Sequence, residues 1–324
     1  MLYSTLGRTG LRVSRLSLGA MTFGAGGGIW GEIAGLDRAQ ARYLVAAAVD
    51  QGVNLIDSAD AYSQGQSEVV VGQVLSDLKL DESRLLVATK VRLRTGPGQN
   101  DVGLGRSHII SSAETSLRRL GRDHIDLFQL HDRDALVPIE ETLRALDDLV
   151  RQGKVRYIGN SNFPAWRLAE AEFTARAMNV SRFVSCQDEY SLLVRDIEKD
   201  LLPAAQEYKL GLLPFFPLAS GLLTGKYKRG AAAPDDTRFA KAPALKDRYV
   251  TPRNEDIVEK LQAFAKARGH SMLELAFSWL AARPQVSSVI AGATRVEQIE
   301  QNVKAIEWQL SADDMAEVDR ITKG

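Results

Sequence analysis

One alternation dominates this chain of 324 residues. Short apolar runs rich in β-branched residues are each followed by a stretch with helical spacing, and the pair recurs eight times. The runs lie at 15–19, 54–57, 85–90, 125–131, 155–160, 185–187, 211–216 and 288–292. The helical stretches lie at 37–51, 67–78, 107–120, 138–152, 164–178, 200–208, 254–283 and 295–305. Parallel strands need a crossover of a dozen or more residues, and a helix is its usual form. Eight such units in strict order predict an α/β fold, a (β/α)8 TIM barrel, with a doubly wound sheet as the alternative. A barrel of this length forms one domain, expected here over residues 1–324.

Local signals agree with that order. In the fourth helical stretch Leu143, Leu146, Leu149 and Val150 share one face. Gly52, Gly121, Gly153 and Gly211 stand between a helix and the next strand, where a left-handed cap is common. Ser271 followed by Glu274 spells a capping box that restarts a helix after Gly269. Two pieces are extra: a β-hairpin formed by 3–6 and 11–14 before the barrel, and a helix over 311–322 after it. Residues 226–253 read as a long loop, and loops of that length are usually functional.

Composition removes several function classes. Lys and Arg together number 41, as do Asp and Glu. A neutral chain without a basic block lacks the electrostatic footprint of a nucleic-acid binder. The single cysteine, Cys186, excludes an intrachain disulfide and a cysteine-rich metal cluster. No apolar run reaches the ~18 residues of a membrane span, and the N-terminus shows no signal-peptide pattern. A cytoplasmic protein without membrane or metal is the expectation.

In such a barrel the chemistry sits at the C-terminal ends of the strands. The second strand ends at Asp57, with Tyr62 in the loop beyond it; the third ends at Lys90 and the fourth at His131. Each has an ordinary reading: an Asp that caps a turn, a packing Tyr, a solvated His. Lys90 closing an apolar run is harder to dismiss, because a buried Lys rarely lacks a partner. Four such groups at consecutive strand ends describe a proton-transfer site. A Tyr with a pKa near ~10 is a poor acid at neutral pH. A neighbouring ammonium lowers that pKa, and a carboxylate anchors the ammonium.

These residues lie in motifs that resemble the aldo-keto reductases, in the branch that also contains potassium-channel β-subunits. Residues 52–62 match the signature around Asp57 and Tyr62, continued by Gly65, Ser67, Glu68 and Gly72. Ala88-Thr89-Lys90 and Leu127-Phe128-Gln129-Leu130-His131 match the Lys and His motifs. Gly159-Asn160-Ser161-Asn162-Phe163 resembles another signature, and 217–227 resembles a cofactor loop. The branch is suggested by the long loop and by Gly292-Ala293-Thr294.

The resemblance implies a site. NADPH would pass hydride to an aldehyde or ketone. Tyr62 would protonate the alkoxide, Lys90 would lower the Tyr62 pKa, Asp57 would anchor Lys90, and His131 would orient the carbonyl. Ser161, Asn162 and Gln187 would hold the nicotinamide carboxamide, and Phe215 would stack on its ring. Gly19, Met21 and Thr22 would line the same end. Pro217, Leu218, Ala219, Ser220, Gly221, Lys226 and Arg238 would cover the pyrophosphate. Gly292, Thr294, Arg295, Gln298, Gln301 and Asn302 would meet the adenosine end. Phe216 replaces a serine usual in the family, so one hydroxyl contact is lost.

Arg295 near a helix start is expected to favour a 2′-phosphate and hence NADPH over NADH. Trp30, Tyr62 and His131 are the expected substrate walls, and 93–106, with five glycines and prolines, is the expected mobile wall. Residues 26–31 spell G-x-G-x-x-G, but no strand ends there and no helix follows, so a Rossmann reading fails. Trp166, Trp279 and Trp308 read as packing residues, and His124 and Asp126 fall at the wrong end of the barrel for catalysis. A rival function is a regulatory subunit that binds the cofactor as a redox sensor.

Overall fold

The computed structural model describes residues 1–25, 34–227, 229, 230, 234 and 237–323. A hairpin of β1 (Tyr3–Thr5) and β2 (Arg12–Ser14) precedes eight parallel strands: β3 (Leu16–Gly19), β4 (Leu55–Asp57), β5 (Leu86–Val91), β6 (Ile125–Leu130), β7 (Val155–Ser161), β8 (Ser185–Gln187), β9 (Gly211–Leu212) and β10 (Val289–Gly292). They are ordered β10-β3-β4-β5-β6-β7-β8-β9. The edges close through Leu212 N to Gln285 O (2.7 Å), Ser287 N to Leu212 O (2.9 Å) and Ile290 N to Pro214 O (2.9 Å). The fold is the (β/α)8 barrel, and the doubly wound alternative is excluded by that closure.

The crossovers are α1 (Arg38–Asp50), α2 (Gln66–Asp77), α3 (Arg106–Leu120), α4 (Ile139–Arg151), α5 (Ala165–Met178) and α6 (Leu201–Glu207). After β9 come α7 (Arg238–Lys241), α8 (Pro243–Tyr249), α9 (Pro252–Ala267) and α10 (Met272–Ala281), then α11 (Val296–Ala305) and α12 (Ala312–Lys323). On α4, Leu143, Leu146 and Leu149 are fully buried while Val150 is only partly covered. Each fully buried Leu contributes about 1.5–3 kcal/mol. The Ser271–Glu274 capping box is present at the start of α10.

The hairpin plugs the lower end of the barrel. Leu6 and Val13 pack with Leu55, Leu86, Leu127, Val184, Leu213 and Ile290 in one interior cluster. Gly7 makes the close approach possible: it has φ +54°, and a Cβ there would lie 2.3 Å from the Val184 carbonyl oxygen. His124 and Asp126 sit toward the same lower end, 3.5 Å apart, and Asp126 accepts from Val87 N.

Four expectations need correction. The strand over 211–216 shrinks to Gly211–Leu212, because Pro214 has no N–H to extend the ladder. Gly211 is not a left-handed cap; Lys209 takes that conformation at φ +55°. Gly211 is small for another reason, since a Cβ would meet Ser287 Oγ at 2.3 Å. The segment 226–253 is not one loop but carries α7 and α8, Pro243 opening the latter. Trp279 is buried and Trp308 stacks on His270 at 4.0 Å, but Trp166 is 60% exposed and packs little. Trp30 and the G-x-G-x-x-G stretch lie outside the described residues.

Candidate active site

Strand register brings the expected residues together. Asp57 ends β4 opposite Ala88 of β5. Side chains alternate along a strand, so Lys90 shares the Ala88 face and points at Asp57 from one layer up. Lys90 Nζ lies 2.5 Å from Asp57 Oδ2, 2.8 Å from Ser58 O and 3.3 Å from Tyr62 Oη. An ammonium has three donors, and here they meet three acceptors. Lys90 is fully buried, so burial alone would lower its pKa; Asp57 and Tyr62 outweigh that and hold it raised.

Tyr62 enters from a tight turn after β4. The turn over Tyr62–Gly65 forces Ser63 and Gln64 into the left-handed region, at φ +48° and +56°. Such conformations cost roughly 1–2 kcal/mol each outside glycine, and buried Ser63 Oγ offsets part of this by donating to Phe23 O. The sequence predicts a Tyr62 pKa lowered by Lys90; the structure corrects the net direction. Burial pushes it up most strongly, Lys90 pulls it down, and Asp57 and Asp60 push it up further. The phenol is therefore firmly protonated, which suits a group that must hold a proton until it is needed.

His131 follows β6 directly and its ring meets Tyr62 edge-on, with centroids 5.6 Å apart. Burial, then the nearby Lys90 and Arg92, hold its pKa well below the usual imidazole range. It is neutral at pH 7. Its Nδ1 is sealed without a hydrogen-bond partner, which leaves Nε2 as the nitrogen able to meet a ligand.

Sequence reading missed Gln129. It is fully buried in β6, in register with Lys90 on one side and Gly159 on the other. Its Nε2 donates to Asp57 Oδ1 at 3.1 Å, and Gln187 Nε2 donates to the same oxygen at 3.0 Å. An amide inside the apolar run Ile125–Leu130 was the available signal, since a buried amide must find partners.

Of the expected cofactor residues, Gly19, Ser161, Gln187 and Gly292 are the last residues of β3, β7, β8 and β10. Asn162, at φ +57°, donates from Nδ2 to His131 O (3.0 Å) and to Ser161 Oγ (2.9 Å). Gln187 spends its Nε2 on Asp57 and on Gln129 Oε1 (3.2 Å); its Oε1 accepts from no described residue and is not sealed. An unpaired amide oxygen beside a mouth fits a carboxamide N–H. Gly19 and Gly292 are register partners on β3 and β10, with Met21 and buried Thr22 just beyond. Phe215 and Phe216 are neighbouring rings in edge contact, 5.4 Å apart.

The segment after β9 makes a tight turn built on left-handed residues. Phe216, Ala219 and Ser220 are left-handed, at φ +50°, +45° and +55°, and Gly221 follows at +105°. The run of positive φ angles curls the chain tightly, with the Ala219, Gly221 and Leu223 N–H groups donating to Phe216 O and Leu218 O inside the turn. The Arg238 guanidinium, 6.0 Å from the Phe216 ring, has no carboxylate partner among the described residues. Burial lowers its pKa. Tyr227 Oη is sealed without a hydrogen bond. A half-buried cation and an unused hydroxyl beside this turn fit the pyrophosphate of a dinucleotide. A cavity of about 580 Å³ flanks this segment, lined by Leu222, Tyr227, Phe239 and Val258 among others. It is separate from the four convergent residues.

At the adenosine end the picture is mixed. Arg295 is the N-cap of α11 rather than a first-turn residue, exposed and without a side-chain ion pair among the described residues. Gln298 folds back, its Oε1 accepting from Thr294 N (2.8 Å) and Arg295 N (3.3 Å). Part of the N–H set expected for a phosphate is thus already occupied. Gln301 is exposed and Asn302 buried on the same helix. The 93–106 segment binds itself: Arg94 donates to Gly96 O and Gly98 O, and Gly98 N donates to Asp101.

The chain's relatives agree with this architecture. The model of the Aldo/keto reductase family matches residues 15–323. A protein named "Probable voltage-gated potassium channel subunit beta" from Oryza sativa subsp. japonica is 40% identical, covering 95% of this chain and 92% of its own. "Aldo-keto reductase YhdN" from Bacillus subtilis is 35% identical over 99% and 93% of the two chains. "L-glyceraldehyde 3-phosphate reductase" from Escherichia coli O157:H7 is 32% identical over 99% and 92%. With its closed eight-stranded barrel and the Asp57, Tyr62, Lys90 and His131 cluster at the strand ends, the chain belongs to the aldo/keto reductase family of oxidoreductases.

Proposed function

We propose that the protein reduces an aldehyde or ketone to the alcohol with NADPH, Tyr62 acting as general acid. A single observation carries the reading: Tyr62 is held by both neighbours, its Oη 3.3 Å from the Lys90 ammonium and its ring edge-on to the neutral His131 ring. The bound cofactor would supply the hydride. His131 Nε2 would meet the carbonyl oxygen and aim it at Tyr62. As negative charge grows on that oxygen, Tyr62 would release its proton to it. Lys90, fixed by Asp57 and Ser58 O, would stabilise the phenolate left behind. Burial that raises the resting Tyr62 pKa also removes the water that would screen Lys90.

Ser161, Asn162, Gln187 and Phe215 would hold the nicotinamide end, 217–221 with Lys226 and Arg238 the pyrophosphate, and Arg295 the 2′-phosphate. No helix among the described residues is long and apolar enough to cross a membrane; a cytoplasmic location accords with that. The potassium-channel subunit names among the relatives favour a second reading, a cofactor-binding regulatory subunit with little turnover. Multiple-turnover NADPH oxidation with a panel of aldehydes separates the two. The enzyme reading expects turnover in wild type and a loss of about 100- to 10,000-fold in Tyr62→Phe. Tight cofactor binding without turnover supports the regulatory subunit, and more than about a tenth of wild-type kcat in Tyr62→Phe removes Tyr62 from the acid role.

A further inference from the structure

We propose that Gln129 is a positioning residue that locks the Asp57 carboxylate beneath Lys90 and fixes the Gln187 amide with its oxygen on the open side. The proposal rests on the carbonyl-reductase reading of the site.

The argument is one of donors and acceptors. Asp57 Oδ2 takes Lys90, while Oδ1 takes one N–H from Gln129 and one from Gln187. Gln129 Oε1 then accepts the other N–H of Gln187. The three side chains form a closed ring in which both hydrogens of Gln187 are spent. Rotating the Gln187 amide by half a turn would bring its oxygen against Asp57 Oδ1 and Gln129 Oε1, acceptor against acceptor. Gln129 therefore acts with Asp57 to select one orientation of Gln187, which leaves the Gln187 oxygen as the face that a ligand meets.

The fold makes room for this ring. Gln129 and Gly159 are register partners on β6 and β7. A Cβ on Gly159 would lie 3.3 Å from Gln129 Cγ and 2.4 Å from Ser185 Oγ. Gln129 is sealed on every side, and it touches neither Tyr62 nor Lys90 by hydrogen bond. Its effect on the acid must pass through Asp57. Two amide donors on Oδ1 delocalise the carboxylate charge and weaken its hold on Lys90, which leaves Lys90 better able to serve a Tyr62 phenolate. Among the described residues, the groups acting on Tyr62 include Lys90, Asp57, Asp60 and the His131 ring.

Two substitutions test the two effects, one that removes them and one that keeps them. Gln129→Met removes both the donor to Asp57 and the acceptor for Gln187. Gln129→Glu keeps an acceptor for Gln187, and its buried carboxyl beside Asp57 Oδ1 takes up a proton and donates O–H where the amide donated N–H. Wild type and both variants are titrated with NADP⁺ by tryptophan fluorescence, and the alkaline limb of kcat against pH is recorded for carbonyl reduction. Binding should weaken about 5- to 10-fold in Gln129→Met, the cost of a lost hydrogen bond, and stay within about 3-fold of wild type in Gln129→Glu. The alkaline limb should move up in pH in Gln129→Met and stay closer to wild type in Gln129→Glu. Equal affinity in Gln129→Met and wild type, or a limb in Gln129→Met fixed at its wild-type position, overturns the proposal. A wild type that does not bind NADP⁺ refutes the reductase reading itself, a result distinct from either.

Discussion

Replacing Lys90 by Met should destabilise the protein in a way that depends on pH. Lys90 and Asp57 have side-chain exposures of 0% and 4%, with the ion pair at 2.5 Å. Met matches the volume of Lys, so the apolar packing survives and the loss is electrostatic. Removing one partner of a buried pair costs about 3–5 kcal/mol, because the other charge stays buried and unpaired. Here Gln129 and Gln187 still donate to Asp57 Oδ1, so the lower part of that range is expected, about 3 kcal/mol.

The sign of the pH effect follows from the lone carboxylate. Without its cation, buried Asp57 should take up a proton at higher pH than an unfolded carboxylate, whose pKa is about 4. A raised folded-state pKa makes stability greatest below the unfolded value and lowers it as pH rises through the folded one. The variant should therefore lose about 3 kcal/mol at pH 8 and clearly less at pH 5. Urea unfolding at the two pH values, followed by circular dichroism, measures both. The double variant Asp57→Asn with Lys90→Met leaves no charge and should recover much of the loss. A Lys90→Met protein as stable as wild type at pH 8, or one whose deficit is the same at pH 5, would refute the reasoning.

Three further outcomes are expected. Burial pushes the Asp60 carboxyl up to about 8, against a hydrogen bond from Ser112 that favours its charged form. Its proton is kept in the folded state and lost in the unfolded one between about pH 4 and 8, so stability falls across that window by up to about 1.4 kcal/mol per pH unit. Asp60→Asn should flatten that slope, and urea midpoints that keep the wild-type pH dependence would count against it. Arg238→Met should weaken NADP⁺ binding by one to two decades, the value of a charge-assisted hydrogen bond. A calorimetric Kd within about twofold of wild type removes Arg238 from the phosphate site. Arg295→Ala should weaken NADPH by a similar factor and leave NADH nearly unchanged; equal losses for both cofactors would show that Arg295 does not read the 2′-phosphate.

The amino-acid sequence by itself determined the order of strands and helices, and with it the barrel. Hydrophobic period is local: α4 can be drawn from Leu143, Leu146 and Leu149, and the α10 start from Ser271 and Glu274. The strand-end rule then pointed to Asp57, Lys90 and His131 without any distance. Tertiary structure decided everything that depends on what surrounds a group. Whether Tyr62 gains or loses its proton more easily is a contest between burial and Lys90, and only packing sets the burial. Gln129 sits two residues before His131 in sequence, yet its partners are Asp57 and Gln187, brought to it by sheet register across four other strands. Pro214 shortened β9, Lys209 took the cap expected of Gly211, and Gln298 turned back onto its own helix start. Each of these is a choice among partners. A linear pattern states which groups can form hydrogen bonds, and the folded chain alone selects which of them do.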